Sequence, residues 1–203
     1  METMKVKLTF TEPVLGTCPG NPKIAEEFVA SKAPDASTME EEIAALGVEA
    51  VQNKSMTVFP RDENGNPFFY DYQIKGFFKD ACGCLARVGG KGSGATESGK
   101  LKAYKKVIDG LIFPAPRRIP IHVNGEIGDC QRSLRAQTMQ GERVSLANSE
   151  EIPEGSTIEF EIKLLDKSLY GVVLEWLDYG ELRGLGQWRN SGKGRFTYEL
   201  LED

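Results

Sequence analysis

Arg183, Arg189, Lys193 and Arg195 stand with Gly184, Gly186, Gly192 and Gly194 in one short stretch that holds no carboxylate between its outer arginines. The chain as a whole carries a formal net charge of -5, so this crowding of cations onto glycine turns departs from the background. Glycine lets backbone N–H groups approach a ligand closely, while guanidinium and ammonium groups bring charge, and together they have the chemistry of an anion site. Phosphate is the obvious anion, and a nucleic acid its obvious carrier. Backbone amides from Gly184 to Gly194 and the heads of Arg183, Arg189 and Lys193 are the expected donors. Trp188, in the middle, has two readings: it stacks a base, or it folds back to cover the core.

The same segment is not an ATP-binding P-loop. Gly186 and Gly192 are separated by five residues rather than four, Gly194 stands where a magnesium-binding Ser or Thr belongs, and the segment follows a helix instead of a strand. Other chemistry is thinner. His122 is the one histidine and the sole catalytic candidate; it alternates with Ile119, Ile121 and Val123, as a structural or exposed strand residue does. Cys82 and Cys84, two apart on a predicted helix, point about 200° apart and do not share a metal ion. Cys18 and Cys130 lack paired neighbours, so the expectation is no metal and no cofactor. The acidic runs Glu40–Glu42 and Asp62–Glu63 read as a helix start and a turn. The Asp62–Asn66 string lacks the twelve-residue pattern of a calcium loop.

With 203 residues the chain suits one domain with a buried core. It has no apolar run long enough to span a bilayer and no signal peptide at METMKVKLTF, so the expected location is the cytoplasm of a bacterial host cell, with no membrane partner. The four cysteines are then reduced thiols. From Tyr72 to Ala147 thirteen Lys or Arg face six Asp or Glu, a pattern that permits one basic groove on an acidic body.

These residues need elements to hold them. Lys5–Phe10 alternates like a half-buried strand. Residues 21–52 read as a helical insertion, split near Pro34. Around Asn64-Gly65 the pattern is a hairpin. Ile74, Phe77, Phe78, Ala81, Leu85 and Val88 form one stripe of an amphipathic helix that leaves Lys75 and Lys79 outside it. Residues 89–100 read as a flexible glycine-rich loop, 101–110 as a short basic helix or loop, and LIF and RIPIHV as strands. Gln131–Leu146, with Arg132, Arg135 and Arg143, reads as a hairpin or extended arm. Thr157–Leu165 is the clearest strand; a helix capped by Ser168 follows, then the glycine loop and a last strand from Arg195 to Leu201. The whole describes an α+β sheet with helices on one face, a single domain over 1–203.

The string Tyr72-Gln73-Ile74-Lys75-Gly76-Phe77-Phe78-Lys79 resembles the helix-opening signature of the RAMP superfamily, the RNA-binding subunits of CRISPR effector complexes. Leu182–Phe196 is similar to the family's C-terminal glycine-rich loop. The resemblance implies a ferredoxin-like (RRM-like) core and RNA binding, with head-to-tail assembly and hence a possible homo-oligomer. The 21–52 insertion departs from the common core. The chain is also similar to small proteins of phages and prophages of Gram-positive bacteria.

The function this supports is non-enzymatic binding of single-stranded nucleic acid, RNA before DNA. Arg183, Gly184, Gly186, Trp188, Arg189, Gly192, Lys193, Gly194, Arg195, Lys75 and Lys79 would contact it, with Trp188, Tyr104 or Phe78 stacking. Three alternatives remain. One is a phage anti-defence protein that binds a host defence protein through the acidic helices of 26–49. Another sequesters a small nucleotide signal. The last is an RNA endonuclease using His122.

Overall fold

The computed structural model describes residues 1–20, 56–90, 94–138 and 141–202. The predicted helical insertion at 21–52 lies outside them. Alternation of apolar and polar side chains builds the principal sheet. Strand β1 (Glu2–Phe10) turns Met4, Val6, Leu8 and Phe10 inward and exposes the residues between them. Its partners, β10 (Thr157–Leu164) and β11 (Phe196–Leu201), lie antiparallel on either side. Beyond β10 come β6 (Ile112–Ala115) and β7 (Arg118–His122), and β7 pairs with the edge strand β5 (Phe68–Tyr70). The order is β11-β1-β10-β7-β5.

Two helices cover the inner face. Helix α1 (Asp71–Leu85) buries Ile74, Phe77, Phe78, Ala81 and Cys82, the stripe its spacing predicts. The long helix before β11, Tyr170–Arg183, buries Val172, Val173, Trp176 and Leu177. With two short helices between them, α2 (Glu97–Lys100) and α3 (Tyr104–Leu111), it becomes α4 in chain order. Strand, helix, strand, strand, helix, strand in the sequence β1, α1, β6/β7, β10, α4, β11 is the ferredoxin-like arrangement, and the fold is α+β with antiparallel sheets. No described helix is long and apolar enough to cross a membrane.

Three local expectations change. The turn at Asn64-Gly65 forms, with Asp62 Oδ1 accepting from the amides of Asn64 and Asn66. The strands flanking it separate, however: β4 (Thr57–Val58) joins a second sheet and β5 the first. Ser168 does not cap α4; the Asp166 carboxylate accepts from the Ser168 amide and opens the 3₁₀ turn Lys167–Leu169 that leads into the helix. The end of the predicted flexible loop is instead helical, because Ser98 is buried and its hydroxyl accepts from Trp176 Nε1 at 2.9 Å. Glu175 accepts from the amides of Glu97 and Ser98. A buried indole N–H left unpaired costs about 1–3 kcal/mol, so a polar residue anchors this turn where no apolar one exists.

The second sheet holds β2 (Val14–Leu15), β3 (Cys18–Pro19), β4, β8 (Gly128–Thr138) and β9 (Gly141–Ile152). Strands β8 and β9 pair from Gly128↔Glu151 to Thr138↔Gly141, the long hairpin arm.

Candidate nucleic-acid interface

The glycine loop follows directly from the end of α4. Gly184 has φ 77° and its amide donates to Gly180 O at 3.1 Å. The amides of Leu185, Ser191, Gly192 and Gly194 donate to Gly194 O, Trp188 O, Arg189 O and Pro13 O. The loop thus closes on itself and against the turn between β1 and β2. A Cβ on Gly184 would lie 2.6 Å from the Gly194 carbonyl carbon, and one on Gly194 only 1.8 Å from Leu185 O. At these two positions glycine serves the loop's own closure, and the five amides named are already engaged.

Most of the loop's cations are engaged as well. Arg183 Nε and Arg189 Nη1 each lie 2.8 Å from Asp80 Oδ2 on α1, and Arg183 Nη1 also donates to Asn190 Oδ1 at 2.6 Å. Partial burial alone would raise the Asp80 carboxyl, but the Arg183 hydrogen bond and the charges of Arg189 and Arg183 outweigh it and hold the group below its ordinary value. Lys193 pairs with Glu151 of β9 at 2.7 Å. Arg195 is exposed, with no ionic partner among the described residues. Lys75 and Lys79 do not join the loop. They share the opposite edge of α1, where Lys79 meets Asp109 at 2.6 Å and Lys75 donates to Asp109 O and lies over the Phe113 ring. The helical period explains the split: Gln73, Gly76, Phe77 and Asp80 face the loop while 75 and 79 face α3.

Trp188 does not fold into the core. It is 42 % exposed, in the left-handed region at φ 53°, with the Arg132 guanidinium 5.2 Å from its ring. Arg132 also donates to Gln187 Oε1 and Ser149 Oγ, tying the root of the arm to the loop. Tyr104 is half-buried against the core, and Phe78 is fully buried and unable to stack a base. His122 is exposed on β7 opposite Thr157, and its side chain has no hydrogen-bond or ionic partner among the described residues.

Between the loop and α1 opens a cleft of about 760 Å³. Gly186, Leu185 and Arg189 form one side and Tyr70, Tyr72, Gln73, Gly76, Phe77 and Arg117 the other, with Thr17, Cys18 and Pro19 alongside. Gln73 is fixed at both ends of its amide: its Nε2 donates to Thr17 Oγ1 at 2.6 Å while its Oε1 accepts from the Tyr70 amide at 2.7 Å. Burial raises the Cys18 thiol and the Tyr72 phenol, so both are neutral near pH 7. A shallower hollow of about 410 Å³ lies on the open face of the sheet, where Lys5 meets Glu159 and Glu161. The outward positions of β1 and β10 are Thr3, Lys5, Lys7, Thr9, Glu159, Glu161 and Lys163, all non-aromatic and of mixed sign. These two central strands thus lack the stacking platform by which RRM sheets hold bases, and the exposed aromatic ring of the neighbouring β6, Phe113 opposite Lys163, lies under the Lys75 ammonium. The cleft is therefore the stronger candidate. No cluster of three or more metal-ligating side chains occurs among the described residues.

The fold is shared with a chain of known structure. A chain in the cryo-EM structure of the Type III-B Cmr-beta bound to cognate target RNA superposes with a TM-score of 0.50 at 11% identity, covering 99% of this chain and 60% of that one. This chain thus spans about three fifths of that neighbour's length. No protein-family model matches the sequence, nor does any curated protein. The likeness is one of fold alone.

Sequence reasoning missed the tyrosine wall. Tyr70 and Tyr72 have ring centroids 5.1 Å apart at 16°, and Arg117 lies 5.8 and 5.7 Å from the two rings. The signal was present as Phe68, Tyr70 and Tyr72 at a spacing of two. The junction from strand to helix, and the partner arginine far along the chain, concealed it.

Proposed function

We propose that this chain binds single-stranded nucleic acid without cleaving it, RNA before DNA, with the strand running through the cleft and over Trp188. The observation that carries this reading is Trp188 itself. A non-glycine residue in the left-handed region costs about 1–3 kcal/mol and persists where the surroundings hold it. Here the strain keeps a large aromatic ring exposed, beside a guanidinium, two residues from Gly186 and next to Arg189 of the cleft. Exposed aromatics flanked by arginines are the usual platform for unpaired bases. The RNA named in the structural neighbour's description agrees with that choice of ligand.

The ion pairs revise the role of the basic loop. Arg183 and Lys193 are positioning groups that hold the loop's shape. Arg189 uses one of its five N–H donors on Asp80 and offers others to a phosphate in the cleft. Arg195, exposed, is a second backbone contact.

The test is fluorescence anisotropy with labelled single-stranded RNA, single-stranded DNA and duplex over a salt series, comparing wild type with Trp188→Ala. RNA affinity that falls with salt, and about tenfold with Trp188→Ala, supports the reading. No binding at low salt sinks it. A thermal-shift panel of mono- and dinucleotides examines the second reading that the cleft's volume favours, capture of a small phosphorylated nucleotide.

A further inference from the structure

Resting on the RNA-binding reading, we infer that the stacked pair Tyr70–Tyr72 with Arg117 is a subsite for one unpaired nucleobase and its adjoining phosphate, on the wall of the cleft opposite the glycine loop. The edge strand β5 passes straight into α1, so Phe68, Tyr70 and Tyr72 form a continuous aromatic series. Phe68 meets Tyr70 edge-on at 5.0 Å, and Tyr70 stacks on Tyr72 at 5.1 Å. Tyr72 ends the series half outside the protein, 50 % exposed in a position lining the cleft.

An aromatic side chain of that size is normally covered; here Tyr70 stacks on it and the Arg117 guanidinium lies 5.7 Å from the ring, yet half of its surface still meets solvent. A nucleobase continues such a stack, because every base presents a flat π-face and needs no particular hydrogen-bond pattern to do so. A paired base within a helix shows only its edge, which restricts the subsite to single strands or splayed-out nucleotides.

Arg117 supplies the complementary charge. Its side chain is 69 % exposed and uses one N–H on Asp71 at 2.7 Å, which orients the guanidinium beside both tyrosine rings. The remaining donors suit a phosphate oxygen next to the stacked base. The wall is also braced. Gln73 bonds the Tyr70 amide and Thr17, and Asp71 N donates to Arg117 O at 3.1 Å. The platform is therefore preorganised before a ligand arrives.

The experiment uses the full chain and two labelled decamers, oligouridylate and a ribose-phosphate decamer with no bases. Wild type is expected to prefer the base-bearing RNA. Tyr72→Ala should weaken that RNA roughly tenfold and leave the abasic decamer unchanged, whereas Tyr72→Phe keeps the preference. Arg117→Ala should weaken both decamers and flatten the salt dependence by about one counterion. Both residues are well exposed, so unchanged melting temperatures are expected and are checked. Equal loss on both decamers with Tyr72→Ala, or no loss on either, overturns the subsite while the RNA-binding reading stands. If wild type binds neither decamer, the reading and the subsite fail together.

Discussion

The two sides of the cleft are made of different material. On the loop side are the cations that dominate the local sequence, yet Arg183 and Arg189 converge on Asp80 and Lys193 on Glu151. On the tyrosine side there is less charge, but Arg117 is mostly exposed and the rings beside it are stacked and open. Density of basic residues and availability of basic residues are separate properties. A carboxylate distant in sequence, as Asp80 is from Arg183 and Arg189, converts a cation from a ligand donor into a structural tie. The paired cations of the loop are then expected to govern stability, and the exposed aromatics, Trp188 and the tyrosine side, affinity, a division that substitutions can break.

The largest effect is expected at Gly194. Gly194→Ala drives a methyl group into Leu185 O and forces a non-glycine residue to φ 73°, costing about 2–4 kcal/mol in denaturant unfolding. Wild-type stability in this variant would mean the loop does not close as described. Asp80→Ala leaves two half-buried guanidinium groups without their shared acceptor and should cost about 2–3 kcal/mol, with faster amide exchange across 184–194. An unchanged exchange rate there would dissolve the contrast between the two sides.

Protonation reaches the same tie reversibly. The Asp80 carboxyl titrates below its ordinary value of about 3.9, so its contribution is present above that pH and is lost as pH falls through the depressed folded-state value. Acid titration of unfolding stability should show this loss in wild type and not in Asp80→Asn. On the tyrosine side of the comparison, Tyr72→Ala should alter RNA affinity with little effect on melting. The smallest effect belongs to Lys75 and Lys79. Alanine at either should change RNA affinity by less than about 0.5 kcal/mol, since both are paired at α3 on the far edge of α1. A larger loss would extend the interface around the helix.

Much of the fold was legible because it rests on periodicity. The alternation in β1 and β10 and the 74, 77, 78, 81 stripe of α1 each fixed an element and its buried face. Short strands carry no such period, and β2, β3 and the parting of β4 from β5 depend on tertiary pairing. Residues 97–100 read as mobile because Ser98 gives no sign in sequence that an indole 78 positions away will bond it. The site was half legible. Position and glycine content of the loop were plain, but the partners of its cations were not, since ion pairing over a hundred residues leaves no local trace.

Arg132 gives the hairpin a mechanical meaning. It sits on β8 with six residues of paired strand beyond it to Thr138, about 20 Å at 3.4 Å per residue, while its guanidinium grips Trp188 and Gln187. The arm is thus a lever with its fulcrum at the stacking platform. A tilt of roughly 10° at Arg132 would swing the far end by about 3–4 Å. A ligand that displaced Arg132 from the Trp188 ring would also loosen the root of the arm.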